Sequence, residues 1–292
     1  MKELAYLNGT FGPVEEAMVS IEDRGYQFGD GVYEVIAVYD GRPFLLDEHM
    51  TRLRTSLGAI QLDYDFDSHP LEPIILEGLE RAEADGQAMI YVQISRGTQP
   101  RSHVYRDDLT PNVVLTFKPL HSLPEEMRRR GASLKTAEDI RWDKCFIKAI
   151  TLLPNIMIKN EAIRSGFDDA IFVTSTGSVR ECTSANIFMV KDGAIITPER
   201  TENVLHGITQ AFLMKCAESI DLPVRENGFD VPTMLQADEV FMSSTTIEVL
   251  GVTKVDGQVI ADGNVGPITQ RMHQAYADWA RRLSQDPNAM AC

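Results

Sequence analysis

The sequence predicts an α+β, mixed fold in two domains, and three observations carry that reading. Runs of alternating or continuous apolar residues, the pattern of β-strands, are interleaved with stretches where apolar residues recur at helical spacing. Asp-Gly pairs at 40–41, 192–193 and 256–257 supply the tight turns that join antiparallel strands. Pro119 and Pro124 bracket a short segment, and strands become denser beyond it. Residues 1–118 are therefore assigned to a small α+β domain and 119–124 to an interdomain linker. Residues 125–284 form a larger barrel-like domain, and 285–292 a disordered tail.

Taken in order, Asn8-Gly9-Thr10 formally matches a glycosylation sequon but reads as a hairpin turn. Residues 32–39 (VYEVIAVY) alternate as a strand, Asp40-Gly41 turns, and RPFLL returns as a second strand. Asp47 can cap a helix that carries Met50, Leu53 and Leu57 on one face. A second helix reads through 70–84, and residues 89–95 and 112–118 are strands. In the second domain, 169–182 and 185–198 each read as paired strands, turning at Thr176-Gly177 and at Asp192-Gly193. A helix opens at Gly207, EVFMSS (239–244) is a strand, and a last helix runs from about Ile268 to Leu283.

Composition narrows the function. Of 292 residues, 43% are hydrophobic and 24% charged, enough to bury a sizeable core. The formal net charge of −15 disfavours binding to nucleic acid or anionic membranes, so an anionic substrate requires basic residues gathered locally. No apolar run reaches the ~18 residues of a membrane helix, and the N-terminus lacks the apolar core of a signal peptide. Cys145, Cys182, Cys216 and Cys292 are scattered without a framework spacing, which fits a reducing, cytoplasmic location. Nucleotide-loop, dinucleotide-binding, zinc-protease and serine-hydrolase motifs are absent, and the histidines form no metal-ligand spacing.

Four features carry chemistry. Lys148 is a single charge inside the apolar run 145–153; read as a strand, it shares a face with Phe146 and Ile150. A lysine withdrawn from water more readily presents its neutral amine, the form that attacks an aldehyde; the alternative is a lysine whose head reaches solvent at a sheet rim. Gly207-Ile208-Thr209 opens a helix, where free N–H groups and the helix dipole favour an anion. Ser243-Ser244-Thr245-Thr246 could add donors from a loop. Each of these two, by itself, is more often an ordinary N-cap or an ordinary polar turn. Together with Lys148 they suggest pyridoxal phosphate, which also needs an acid opposite its pyridine nitrogen. Glu181 is the candidate, with an ion pair to Arg180 or plain solvation as the alternative.

At these residues the sequence resembles the class IV, fold-type IV, pyridoxal-phosphate-dependent aminotransferases, and among them those acting on D-amino acids. The similarity runs from about Asn8 to Leu283, through EDRGYQFGDGVYEV (22–35), DEHMTRL (47–53), ISRGTQPRSH (94–103), IRWDKCFIK (140–148), VRECTSAN (179–186), LHGIT (205–209) and SSTT (243–246). The resemblance implies a small α+β N-terminal domain and a larger pseudo-barrel C-terminal domain. It implies pyridoxal 5′-phosphate bonded covalently to Lys148, which also moves the proton between Cα and C4′. Glu181 would lie beneath the pyridine nitrogen and Leu205 against a ring face. Arg52, Ile208, Thr209, Ser244 and Thr245 would hold the phosphate. Tyr33, Arg101 and His103 would hold the substrate carboxylate, the Arg-x-His loop reaching across a homodimer.

The implied reaction is ping-pong transamination between a D-amino acid of the D-alanine or D-glutamate type and a 2-oxo acid such as 2-oxoglutarate, through pyridoxamine phosphate. No metal, nucleic acid or membrane takes part. The alternatives are a branched-chain L-aminotransferase, which is not expected to carry the Arg-x-His pair, and an aminodeoxychorismate lyase of the same fold. A binding protein that has kept the fold is the non-enzyme alternative. Three departures stand out: Cys182 where glycine is usual, Ala149 where serine often follows the lysine, and Gln210 where arginine often follows GIT.

Overall fold

A computed structural model describes residues 1–286. The expected tail therefore lies, from residue 287 on, outside the described residues. The chain divides into two compact units.

The first unit comprises Met1–His121, Ile147–Thr151 and the described residues from Leu283 on. Its elements are β1 (Leu4–Leu7), β2 (Thr10–Gly12), α1 (Arg24–Phe28), β3 (Gly31–Tyr39), β4 (Arg42–Pro43), α2 (Leu46–Ala59), α3 (Leu71–Arg81), β5 (Ala88–Ser95) and β6 (Asn112–Pro119). The strands form one antiparallel sheet in the order β2-β1-β6-β5-β3-β4. Asn8 and Gly9 both take positive φ, 46° and 100°, the geometry that suits the right-handed twist of a two-residue hairpin. The pleat sorts the side chains. Val32, Ile36 and Val38 face the same way as Ile90, Val92, Ile94, Leu115 and Phe117, all buried, and the core is completed by Met50, Leu53 and Leu57 of α2 and Ile75 of α3. Glu34 is on this buried face and Tyr33 on the other.

Two local expectations change. Only Arg42 and Pro43 pair back after the 40–41 turn, because Leu45 adopts a left-handed φ of 54° and α2 begins at Leu46. Asp47 then lies inside the first turn rather than at the cap, although its charge still suits the helix dipole.

The second unit comprises Ser122–Phe146 and Leu152–Arg282. It contains α4 (Glu125–Arg130), β7 (Ala132–Glu138), α5 (Leu153–Arg164), β8 (Asp169–Val173), β9 (Val179–Cys182), β10 (Asn186–Lys191), β11 (Ala194–Thr197), α6 (Ile208–Ser219), β12 (Val224–Glu226), α7 (Val231–Leu235), β13 (Glu239–Ser244), β14 (Glu248–Val255), β15 (Gln258–Val259) and most of α8 (Pro267–Gln285). The sheet order is β12-β11-β10-β13-β14-β7-β8-β9, with β15 on β14. The sheet curls until β9 returns to β10, where Cys182 N–H donates to Ala185 O at 2.8 Å. This is the barrel-like domain the sequence implied. Its interior is filled by Leu134, Ile171, Ile187, Met189, Val240, Met242, Leu250 and Val252, inward residues of the curled strands. Among the described residues no helix is long and apolar enough to cross a membrane, and no cluster of side chains could hold a metal ion.

Candidate active site

In the first unit the site is built on both faces of β3. Lys148 does not sit in a strand. Its segment is an irregular turn whose ladder contact is a single bridge from Ala149 to Val32, steadied by Tyr33 N–H donating to Lys148 O (3.0 Å) and Ile150 N–H to Gly31 O (3.1 Å). Lys148 N–H in turn donates to Ser56 Oγ on α2 at 3.2 Å. The side chain is half-buried, and its ammonium lies 4.3 Å from the centre of the Tyr33 ring. The expected strand face shared with Phe146 and Ile150 does not form, and the cation meets instead the face of Tyr33, whose quadrupole attracts it. Tyr33 itself stacks on Tyr91 at 5.6 Å.

On the opposite face, Glu34 is fully buried and accepts two hydrogen bonds from Arg52, Nε to Oε1 and Nη2 to Oε2, both 2.7 Å. His49 Nδ1 meets Oε2 at 2.7 Å. Burial would raise the Glu34 carboxyl, but Arg52 and then His49 outweigh it and bring it down to about 2. Burial lowers His49 despite Glu34, so its ring is neutral and donates from Nδ1 to the carboxylate. Arg52, expected at the phosphate, is therefore oriented by a carboxylate that stays ionised.

Arg101 and His103 are exposed, and both rest on one ring: the Arg101 guanidinium is 4.4 Å from the centre of Phe28, and the His103 ring meets it edge-on at 5.6 Å. Among the described residues no hydrogen bond or ring contact joins either of them to Tyr33.

In the second unit Glu181 is 4% exposed at the end of β9. Its partner is Arg141, not Arg180: Nη1 donates to Oε1 at 2.6 Å, while Nε and Nη2 bind Asp139 at 2.9 and 2.8 Å. Leu205 N–H donates to both Glu181 oxygens at 3.1 Å. Burial pushes the Glu181 carboxyl up, and Arg141 with the Leu205 amide only partly restores it. A further cationic donor at this carboxylate would offset the remaining desolvation cost.

Asn186 ties this region together. Its Nδ2 donates to Leu205 O (2.9 Å) and makes a longer contact with Glu181 Oε2 (3.4 Å). It stands opposite Ser243 in the β10–β13 ladder. A Cβ on Gly207 would fall 1.9 Å from its Oδ1, so only glycine fits at the N-cap of α6. Among the described residues no side chain caps that helix, leaving the Ile208 and Thr209 amides at its positive end. Helix α6 packs against β13, whose end carries Ser243, Ser244 and then Thr245. The Ser243 hydroxyl is fully buried and has no hydrogen-bond partner among the described residues.

These features suit a phosphorylated pyridine: helix-end amides with neighbouring hydroxyls for a phosphate, and a buried carboxylate in need of a cationic N–H. Arg141 and Asn186 were not singled out from the sequence. The only signal was their place in the segments 140–148 and 179–186, since nothing local links either to Glu181.

Comparison with known proteins agrees with this chemistry. The model of the family described as amino-transferase class IV matches residues 31–255. The chain is 41% identical over 269 residues to a D-alanine aminotransferase of Bacillus licheniformis, covering 92% of this chain and 94% of that protein. It is 37% identical over 271 residues to a D-alanine aminotransferase of Staphylococcus haemolyticus, covering 93% and 95%. Among solved structures it is similar to the branched-chain amino acid aminotransferase of Escherichia coli, with a TM-score of 0.87, 27% identity and coverage of 95% and 94%. The branched-chain aminotransferase of the archaeon Thermoproteus uzoniensis, solved with norvaline, gives a TM-score of 0.86, 26% identity and coverage of 95% and 94%. Matched over most of its length, the chain belongs to the class IV aminotransferases, a family of pyridoxal 5′-phosphate enzymes.

Proposed function

We propose that the chain transfers the amino group of a D-amino acid, of the D-alanine or D-glutamate type, to a 2-oxo acid such as 2-oxoglutarate. The observation that carries the D-specific reading is Arg101 and His103 held together on Phe28, with the D-alanine aminotransferase relatives in support. The branched-chain neighbours share the fold at about a quarter identity, and they are the second reading.

When bound, pyridoxal phosphate supplies an electron sink for the bond broken at the substrate Cα. Lys148 Nζ would hold the cofactor covalently and would serve as the base that moves the proton at the substrate Cα. Glu181 would hold the pyridine N–H, with Arg141 and the Leu205 amide offsetting part of the cost of burying its carboxylate. Leu205 supports the ring. The Ile208 and Thr209 amides, Ser244, Thr245 and Arg52 bind the phosphate. The Arg101 fork grips the substrate carboxylate through parallel charge-assisted bonds, and His103 and Tyr33 complete the grip. Fixing the carboxylate decides which hydrogen of Cα faces the lysine.

The working form in this reading is a cytoplasmic homodimer that uses small-molecule substrates and neither nucleic acid nor membrane. Met18, Ile21, Tyr26 and Val104 are large apolar side chains exposed in the first unit, Val104 next to His103, and a second copy would cover them. On α5 of the second unit, Leu153, Ile156 and Met157 form a similar exposed face.

Arg101→Ala tests the substrate role. The KM for D-alanine is expected to rise roughly 30-fold or more, as loss of about 2 kcal/mol of charged contact requires, with the cofactor spectrum little changed. An unchanged ratio of D- to L-alanine turnover would place the carboxylate elsewhere.

A further inference from the structure

We infer that Arg24 is the positioning residue of the Arg101–His103 loop, acting on substrate specificity through the backbone it holds. Arg24 is 4% exposed although it carries a charge, and its guanidinium is committed in three directions. Nε donates to Asp30 Oδ2 at 2.7 Å, Nη1 to Ser102 O at 2.6 Å, and Nη2 to His103 O at 3.3 Å. Binding two successive carbonyls fixes the peptide planes on both sides of the His103 Cα, and with them the direction of its Cα–Cβ bond. A third carbonyl is held from inside as well: Gln99, 5% exposed, donates from Nε2 to Val104 O at 2.9 Å and accepts from Arg106 N–H at 3.1 Å.

The clamp is anchored on a rigid base. Asp30 also accepts from Arg96 Nε at 2.9 and 3.0 Å, and Arg96 donates onward to Ile60 O and Gln61 O at the end of α2. Arg24 N–H donates to Gly97 O at 2.9 Å, which fastens α1 to the start of the loop. The Phe28 ring that carries Arg101 and His103 also lies 4.9 Å from the Arg24 guanidinium. The loop is therefore exposed in its side chains and fixed in its backbone. A surface turn with no task does not require three buried side-chain contacts to consecutive carbonyls. A specificity loop does, because a small displacement of a binding group costs a large part of its effect.

The inference rests on Arg101 and His103 gripping the substrate, and the test separates the two ideas. Arg24→Lys keeps a cation for Asp30 but cannot fork onto both carbonyls. In the holoenzyme it is expected to raise the KM for D-alanine roughly tenfold or more, with a smaller fall in kcat and an unaltered cofactor spectrum. Hydrogen exchange without substrate is expected to quicken at least about tenfold in residues 98–106 and to stay unchanged in β5. In an Arg101→Ala background the same change should add less to KM than it does in the wild type, because only His103 is then left for it to position. Should Arg24→Lys fail to fold, Gln99→Ala takes its place with the same readouts. Unchanged exchange in the loop, or KM effects of Arg24→Lys and Arg101→Ala that simply add, overturns the positioning role. A wild-type KM in Arg101→Ala alone overturns the substrate role of Arg101, and the specificity effect of Arg24 with it, whatever the exchange data read.

Discussion

Lys148 and Glu181 are proposed for different tasks, and each has a distinct set of neighbours. The Tyr33 ring face steadies the lysine head. Lys148→Ala is expected to abolish nearly all transamination and the cofactor's bound absorbance. Borohydride reduction of the wild-type enzyme followed by peptide mapping checks the assignment: the label should fall on Lys148, and a label on another lysine removes it from the role. Glu181 is supported instead by charge. Glu181→Gln is expected to keep the cofactor but slow proton abstraction by roughly 10²-fold, the usual worth of one placed electrostatic contact. A wild-type single-turnover rate in that variant would leave Glu181 a structural role only.

The pair formed by β3 and α2 makes a pH-dependent joint in the first unit. Glu34 is depressed to about 2 in the folded chain, so its contribution is present above the unfolded carboxyl pKa and is lost as pH falls towards 2. His49 is also depressed, so stability it supports above its unfolded pKa, about 6.5, is lost as pH falls below that value. Stability is expected to decline from about pH 6.5 and to fall most steeply below about pH 4, by up to ~3 kcal/mol from Glu34. Urea unfolding of wild type and His49→Gln at stepped pH checks this. The variant should lose the part of the slope that sets in below about pH 6.5, and an identical slope in both would exclude His49 as its source. The sequence made much of this architecture legible, and the failures have causes. Met50, Leu53 and Leu57 announced the buried face of α2, and the 192–193 and 256–257 turns announced their hairpins. Glu34, His49 and Arg52 could not be read as a unit, because two of them lie on a helix and one on a strand whose packing no local pattern specifies. Arg141 escaped for the same reason: its partner Glu181 is 40 residues away. Lys148 is conspicuous as a charge in an apolar run, but the single long-range bridge beside it, from Ala149 to Val32, leaves a turn where a strand is expected.

At the scale of the whole molecule, the residues proposed for the chemistry fall in both units. The first carries the lysine, Arg52 and the Arg-x-His loop, and the second the acid and the helix end. In the proposed reading the α6 terminus serves the general aminotransferase chemistry, and the hand of the substrate is assigned to the stretch 97–106 and the contacts beneath it. In a chain of net charge −15, Arg24 and Arg96 are paired with Asp30 and Arg52 with Glu34, which leaves Arg101 as the exposed cation proposed for the substrate carboxylate. The most direct measurement is a panel of paired D- and L-amino acids as donors to 2-oxoglutarate with the wild-type holoenzyme. D-Alanine or D-glutamate should be turned over faster than any L-amino acid, by kcat/KM. Faster turnover of L-leucine or L-valine than of every D-donor would contradict the proposed specificity and return the chain to the branched-chain reading.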